Sequence, residues 1–324
     1  MPRPLLAVGT YTADVILAGI ERLASPGEVL YLDKPFDLRA GGHAVNVSID
    51  AVKLGYPGKV YSVGAVGGDG FGRFLVEAVR GVGAEALVDV VDVPTARNLI
   101  IALRGEDRRF HVYRGANTRL SPSHVESVLE SVGPERLYLA LGFSEALDRE
   151  APSLLKRARK AGVEVILVDP AYTELQSVGA LKGVLGLVEA IHLNEAELKM
   201  LTGAEGVEDG LRALARLTDA IIAVTGSWGV AARIGNKVLW QPSYRVEVID
   251  PTGAGDAFCA GLITAINPGM DTEGLLKVLA WAQAAAAAAV SSVGATEGVD
   301  KARVESIFKS QYQRIISSSR IARL

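Results

Sequence analysis

Short β-branched runs alternate with longer helical patterns along most of this chain, and that alternation restricts the fold to parallel strands joined by helical crossovers. KVYSVGAVG (59–67) precedes FGRFLVEAVRGVG, RLYLALG precedes DREAPSLLKRARKAG, and VEVILVD precedes TELQSVGALKGVLG. Downstream, AIHLN ends at Asn194 and opens a helix at Glu195, DAIIAVT ends at Thr225, and YRVEVID is expected to end as a strand at Asp250. Runs this apolar suit strands covered on both faces. The chain has 324 residues and is 49% hydrophobic, enough for one large α/β domain or two small ones with a buried core.

Two regions break the rhythm. Residues 28–40, EVLYLDKPFDLRA, and 97–114, RNLIIALRGEDRRFHVYR, contain strand-like segments, the second pair joined by a charged turn at Gly105, Glu106 and Asp107. They suit either an ordinary edge hairpin or a small sheet standing off the main body, which needs the main domain or a second copy as a partner surface. The Ala-biased stretch 280–292 reads as a strong helix whose small side chains permit close packing. No internal repeat is present.

A net charge of −3 with both signs scattered and no long basic run argues against nucleic acid as a partner. The N-terminal apolar stretch is broken by Thr10, Thr12 and Asp14 and lacks a small-residue cleavage site, and no apolar run is expected to span a membrane. The expected location is cytoplasmic. Cys259 is the single cysteine and the four histidines are dispersed, which excludes an internal disulfide and disfavours structural zinc.

VEVIDPTGAGDAFCAG (246–261) places TGAG between an expected strand end and the helix DAFCAGLITAI. Glycines let consecutive backbone N–H groups point into one concavity, and a helix N-terminus adds positive dipole there. An oxyanion or phosphate fits such a turn. Asp256, in the first helical residues, is placed either to take a proton from a hydroxyl or simply to cap the helix. Other phosphate motifs are absent: GYPGKV (55–60) lacks the Ser or Thr and the glycine spacing of a P-loop, and LLAVG leads to TYTAD instead of a dinucleotide fingerprint.

DPTGAGDAFCAG resembles the C-terminal signature of the ribokinase-like sugar kinases, the phosphofructokinase-B type family. GGHAVNVSIDAVKLG (41–55), VGAVGGDGFGRFL (63–75), NEAE (194–197) and VTGSWGV (224–230) resemble further motifs of that family in the same order. The resemblance implies an α/β fold: one ribokinase-like domain over 1–324, a doubly wound, mostly parallel sheet with helices on both faces, and a small β-sheet lid inserted at about 14–40 and 95–115. It implies an ATP- and Mg²⁺-dependent kinase acting on a hydroxyl of a small sugar, ribose-like first, with a nucleoside, another sugar, a sugar acid or an inositol as alternatives. A non-catalytic sugar-binding regulator on the same fold is the alternative of a different class.

By the same resemblance Asp256 is the base, and Gly253, Ala254 and Gly255 form the anion hole for the transferring group. Asp14, Gly41, Gly42 and Asn46 contact the acceptor; Asp14 otherwise ends a strand and the glycine pair turns the chain. Asn194, Thr225, Gly226, Ser227, Gly229 and Gln283 line the nucleotide, with Glu197 near Mg²⁺ through water; on spacing alone Asn194 and Glu197 equally form a capping box. Asp250, Thr252, Ala289, Ser292, Gly294 and Gly298 match positions that hold a monovalent cation such as K⁺ in some members. The lid implies a homodimer formed by two lids. The sequence departs from ribokinases proper at His43, Ala44 and Val45, and Trp228 is unusual in the nucleotide loop. The segment 113–122 resembles a ribokinase-type stretch, and Cys259 reads as a small buried residue.

Overall fold

The computed structural model describes residues 3–106, 108–172 and 174–324. Asp107 of the expected charged turn and Thr173, which begins one expected helix, lie outside the described residues. Among the described residues, a ten-stranded sheet runs in the order 320–323, 237–242, 229–234, 221–226, 190–194, 165–170, 136–141, 5–8, 60–63 and 85–86. The strands from Glu85–Ala86 to Ile221–Gly226 are parallel. Leu5–Val8 is fully buried between Arg136–Leu141 and Val60–Val63. The chain winds away from Leu5–Val8 in both directions, so a crevice opens beyond its C-terminal end, where ligands of such sheets bind.

Local chemistry sets the helices that close this sheet. Gly70–Gly81 is capped by Asp69, whose carboxylate accepts from Gly72 N at 2.9 Å. Glu145–Lys160 carries Glu145 and Asp148 in its first turn and Arg157, Arg159 and Lys160 in its last, matching the helix dipole at both ends. Ala254–Ala265 and Thr272–Val290 pack closely, because Gly261 lies against the backbone of Ala282. Thr272–Val290 corrects the expectation about spanning length: its 19 residues are long and apolar enough to cross a bilayer, but most of the segment is buried inside the protein. It also packs against Lys301–Ser317.

The second sheet is the expected lid, with strand order 37–41, 12–20, 96–103, 109–113. Its centre is the parallel pairing of Thr12–Ile20 with Ala96–Leu103. Of the strand-like run 28–40, only Asp37–Gly41 pairs, with 28–36 irregular and Tyr31 90% exposed. Pro35 lacks the donor a ladder requires. Asn117 anchors the point where the lid leaves the main sheet: Oδ1 accepts from Tyr11 N at 2.9 Å and Nδ2 donates to Thr12 Oγ1 at 3.2 Å.

Two expected elements differ, and one feature is added. The run YRVEVID is no strand: past Pro242 the chain leaves the sheet, and Ile249 N and Asp250 N donate instead to Val290 O. β-propensity there has no neighbouring strand to pair with. The expected helix over 173–186 shortens to Leu175–Ala180 and a 3₁₀ turn, Leu181–Gly183, in a segment interrupted by Gly179, Gly183 and Gly186. The antiparallel edge formed by Gly229–Ile234, Lys237–Pro242 and Arg320–Arg323 was not expected.

A side chain at Gly261 has no room, since a Cβ there would lie 2.7 Å from Ala282 Cα. Gly261→Val is expected to lower stability by about 1–3 kcal/mol, the usual cost of overpacking, read as a lower urea midpoint with an unchanged slope.

Candidate active site

Gly253 fixes the glycine turn. It sits at φ +77°, in the left-handed region, as N-cap of Ala254–Ala265, and a Cβ would fall 2.3 Å from Ala295 O. The turn is therefore pressed against the loop that follows the Ala-rich helix. The first intrahelical bond runs from Ala257 N to Gly253 O at 2.8 Å, so the N–H groups of Gly255 and Asp256 precede it at the positive end of the helix. Asp256 Oδ2 accepts from Asn46 Nδ2 at 2.8 Å. Burial raises the Asp256 pKa, opposed by His43, the Asn46 hydrogen bond and His192.

Gly42, the N-cap of His43–Lys53, has φ +99°, and a Cβ would lie 2.4 Å from Thr10 O. Gly41 leaves the space that the Asp14 carboxylate occupies, since a Cβ there would meet Asp14 Oδ2 at 2.4 Å. Asp14 is buried in the lid strand and its Oδ1 accepts from Asn98 Nδ2 at 2.7 Å. Burial pushes its pKa up to about 6, the Asn98 bond opposing and the charges of Asp256, Asp250 and Glu297 adding to the rise. Asn46 thus touches Asp256, Gly41 and Asn98 pack against the Asp14 carboxylate, and Gly42 opens the helix that carries Asn46. The sequence hint for Asn98 was a polar residue inside the run NLIIAL, in register with Asp14 across parallel strands.

On the other side of the turn lies a cavity of about 560 Å³ whose lining includes Asn194, Thr225, Gly226, Ser227, Gly229, Ala254, Gly255 and Gln283. All six residues assigned to the nucleotide by resemblance meet there. Tyr244, Val246, Val248, Phe258 and Val290 complete an apolar wall, so the irregular 243–250 segment serves the cavity. Gly229 has φ +135°, with a would-be Cβ 2.0 Å from Gln241 O, and Gly226 is covered by Trp228, whose Nε1 donates to Glu195 Oε1. Trp228 also stacks on Trp240 at 5.3 Å, which holds the loop. Gln283 Nε2 donates to Gln241 Oε1 at 3.0 Å. Asn194 and Glu197 form the capping box: Asn194 Oδ1 accepts from Glu197 N at 2.9 Å, and Glu197 Oε2 accepts from Asn194 N at 2.7 Å.

Beneath the glycine turn runs a buried chain that sequence reading missed. Tyr138 OH donates to Asp169 Oδ2 at 3.0 Å, Asp169 Oδ1 meets His192 Nδ1 at 3.0 Å, and His192 Nε2 meets Thr225 Oγ1 at 3.0 Å. Burial opposes charge on His192, but Asp169, Glu197 and Asp256 together leave its pKa raised. Cys259, buried as expected, has its Sγ 3.7 Å from Asp169 Oδ2, and burial pushes its thiol pKa well up. The available signal was polar residues near the C-terminal ends of apolar strands, in VILVD and AIHLN.

The residues matched to a monovalent cation also gather. Asp250 Oδ2 accepts from Gly294 N at 3.0 Å, Asp250 Oδ1 accepts from Thr252 N at 2.9 Å, and Ser292 N donates to Ala289 O at 3.3 Å. Gly298 packs on the carbonyls of Ala288 and Ala289. The hydroxyl of Ser292 is turned to another task, accepting from Arg303 Nη1 at 2.9 Å. Arg108 of the lid also reaches both the Asp250 carboxylate and the Thr252 hydroxyl, a contact that no motif marks.

Residues 4–302 match the pfkB family of carbohydrate kinases. The chain is 27% identical to ribokinase of Bacillus subtilis over 299 residues, covering 92% of this chain and 96% of that one. It is 30% identical to ribokinase of Arabidopsis thaliana over 315 residues, covering 90% of this chain and 77% of the relative. The Arabidopsis ribokinase structure, a complex with ribose and ATP, superposes with a TM-score of 0.78 over 95% of this chain and 99% of that one, at 27% identity. The fold is shared also by an ATP-bound fructokinase from Xylella fastidiosa, TM-score 0.80 at 22% identity, covering 96% and 100% of the two chains. With the family signature spread over nearly its whole length, the chain belongs to the pfkB family of carbohydrate kinases, as an ATP-dependent sugar kinase that transfers phosphoryl to an alcohol group.

Proposed function

We propose that the acceptor is a small neutral sugar, ribose-like, and that Asp256 removes the proton from its reacting hydroxyl while the turn Gly253, Ala254 and Gly255 receives the phosphoryl group. The observation that carries this reading is the Asn46–Asp256 hydrogen bond of 2.8 Å. It aims the carboxylate toward the pocket of Asp14, Gly41 and Gly42, while Ala254 and Gly255, its neighbours in sequence, line the 560 Å³ cavity. One group thus stands between an acceptor side and a donor side. Ribokinases at 27% and 30% identity, one of them solved with ribose, favour ribose as the first acceptor to test.

In this reading Asp14 accepts from sugar hydroxyls, Asn98 and Asn46 offer amides, and the glycine pair lets backbone approach the ring. The Asp256 carboxylate takes the hydroxyl proton, and the N–H groups at the helix N-terminus stabilise charge spreading over the phosphoryl oxygens. The cavity is large enough and apolar enough on one wall to hold a purine, with small side chains at Ala286 and Ala287. Glu197 and Asn194, as hard oxygen donors, would hold Mg²⁺ through water, and the ion would supply neutralisation of phosphate charge. A monovalent cation and Arg108 compete in this reading for Asp250 and Thr252. Closing the lid excludes water as a rival acceptor.

The lid's outer face also fits a second copy. Val15, Leu17, Leu99 and Ile101 alternate with the inward Asp14, Ile16, Asn98 and Ile100, and Leu38 pairs with Val15. Leu38 and Leu99 are exposed at 43% and 42%. A homodimer through this face predicts dimer mass in light scattering and monomer mass for Leu38→Glu/Leu99→Glu.

Asp256→Asn is expected to lower kcat by about 10²–10⁴-fold while the ATP dissociation constant stays within about threefold, measured with Mg²⁺-ATP against ribose, fructose, sugar acids, inositols and nucleosides. Equal turnover by the variant would remove Asp256 from the role of base. Asp14 gives a pH signature of two opposite signs. Its folded pKa of about 6 exceeds the ordinary 3.8, so burial costs nothing below the lower value and a growing amount as pH rises through the higher one. At pH 8 Asp14→Asn is therefore expected to be more stable than wild type by about 3 kcal/mol, the gap closing near pH 4 in urea titrations. Sugar binding runs the other way, with KM rising as pH falls through about 6, because the ionised carboxylate is the better acceptor.

A further inference from the structure

Two arginines leave the lid and land on the two loops that frame the glycine turn. Arg108, at the end of the hairpin connection before Arg109–Tyr113, places Nη1 2.5 Å from Asp250 Oδ1 and also reaches Thr252 Oγ1. Arg39, in the strand Asp37–Gly41, places Nη1 3.4 Å from Glu297 Oε1. The two receiving loops are themselves joined, since Asp250 Oδ2 accepts from Gly294 N and Gly253 lies against Ala295. Glu297 folds back to accept from Thr296 N at 3.1 Å, over Gly294, where a Cβ would collide with its carboxylate. The result is a continuous path from one lid strand through both loops to the other: Arg108, Asp250, Gly294, Glu297, Arg39.

The two ends differ in strength. Arg108 and Asp250 keep 22% and 14% of their side-chain surface, so their pair is shielded from water and salt. The exposed Arg39–Glu297 pair, at 35% and 39%, is the weaker. Phe110 stacks beneath the Arg108 guanidinium at 5.5 Å and limits where it can go when the lid lifts.

We propose that Arg108, assisted by Arg39, is a positioning residue that latches the closed lid to Asp250 and Thr252 and thereby sets the glycine turn in its phosphoryl-receiving geometry. Lid closure and anion-hole order become a single event. Opening the lid withdraws the guanidinium from residues adjoining Gly253 and releases the turn; closing it restores both. The catalytic consequence rests on the reading of Gly253–Gly255 as the anion hole. The latch itself does not.

The test separates the two. Hydrogen exchange on the ligand-free protein reads the latch directly: Arg108→Ala is expected to speed exchange of Ala96–Leu103 and Arg109–Tyr113 by about tenfold, with Arg108→Lys intermediate. Unchanged exchange in Arg108→Ala overturns the proposal. Steady-state kinetics with ribose and Mg²⁺-ATP read the coupling: Arg108→Ala is expected to lose about tenfold in kcat with the ATP KM within about twofold. Added guanidinium ion is expected to restore part of that loss in the variant and to leave wild type unaffected. In an Asp250→Asn background, Arg108→Ala is expected to cost less than about twofold more, because the two act through one contact. Full additivity, or a kcat equal to wild type, overturns the coupling to the turn. Absence of sugar-dependent turnover in wild type overturns the functional reading instead, and the exchange result still decides the latch.

Discussion

The turn at Gly253 is the constraint on which the site depends. A left-handed residue pressed to within van der Waals contact of Ala295 admits glycine alone, and it converts the irregular approach of 243–250 into the first turn of a helix aimed at the crevice. From that single conformation follow the exposed N–H groups at the helix start, the direction of Asp256 toward Asn46, and the contact between loops that carry Asp250 and Gly294. Gly261, further along the same helix, serves the same end. By letting the helix lie on the Ala-rich segment, it holds the turn at the level where the sheet ends. Backbone geometry here comes before side-chain chemistry.

Electrostatics then narrow what enters. Burial raises Asp14, Asp50 and Asp256, and the charge of Asp256 adds to the rise at both of the others. Asp50 lies on the same helix as Asn46, four residues on, and among the described residues neither of its oxygens has a hydrogen-bond partner. Its pKa stands well above the ordinary carboxylate value, consistent with a protonated group beside the base. An acceptor carrying a carboxylate or phosphate adds repulsion to this cluster, whereas neutral hydroxyls satisfy it by donation. The charge of this cluster is one physical ground for the neutral acceptor proposed above.

Much of this was legible in sequence because it is local. The apolar runs ending at Asn194 and Thr225, the helix opening at Glu195, and the glycine turn before Asp256 are each fixed by residues within a few positions of one another. The strand-like segments at 28–40 and 97–114 were legible in sequence, whereas the central strand of the second sheet, Thr12–Ile20, fell within the expected insertion at about 14–40 only through the family resemblance. What stayed hidden depends on distant partners. YRVEVID has the composition of a strand and lacks only a neighbour, which no window of sequence displays. The reverse holds for Gly229–Ile234 and Lys237–Pro242, which form because the edge beside Ile221–Gly226 is open to them.

The same division applies inside the site. Asn46 and Asp256 stand in glycine-marked motifs, whereas Asp14 carries no such local mark, and it was the family resemblance that implied a shared site for the three. Asp169 and His192 lie in ordinary apolar strands and become a chain only when parallel pairing sets Val168 beside Ile191 and His192 beside Ala223. Arg108 is separated from Asp250 by 142 residues and belongs to a segment rich in charges, where a single arginine carries no local signal. Its meaning comes from the lid's register. Ile101 pairs with Arg109, and that pairing brings the hairpin connection back over the body at the level of the glycine turn. A residue of this kind, functional only through the closure of one sheet over another, is the sort that motif reading passes over and that a three-dimensional account recovers.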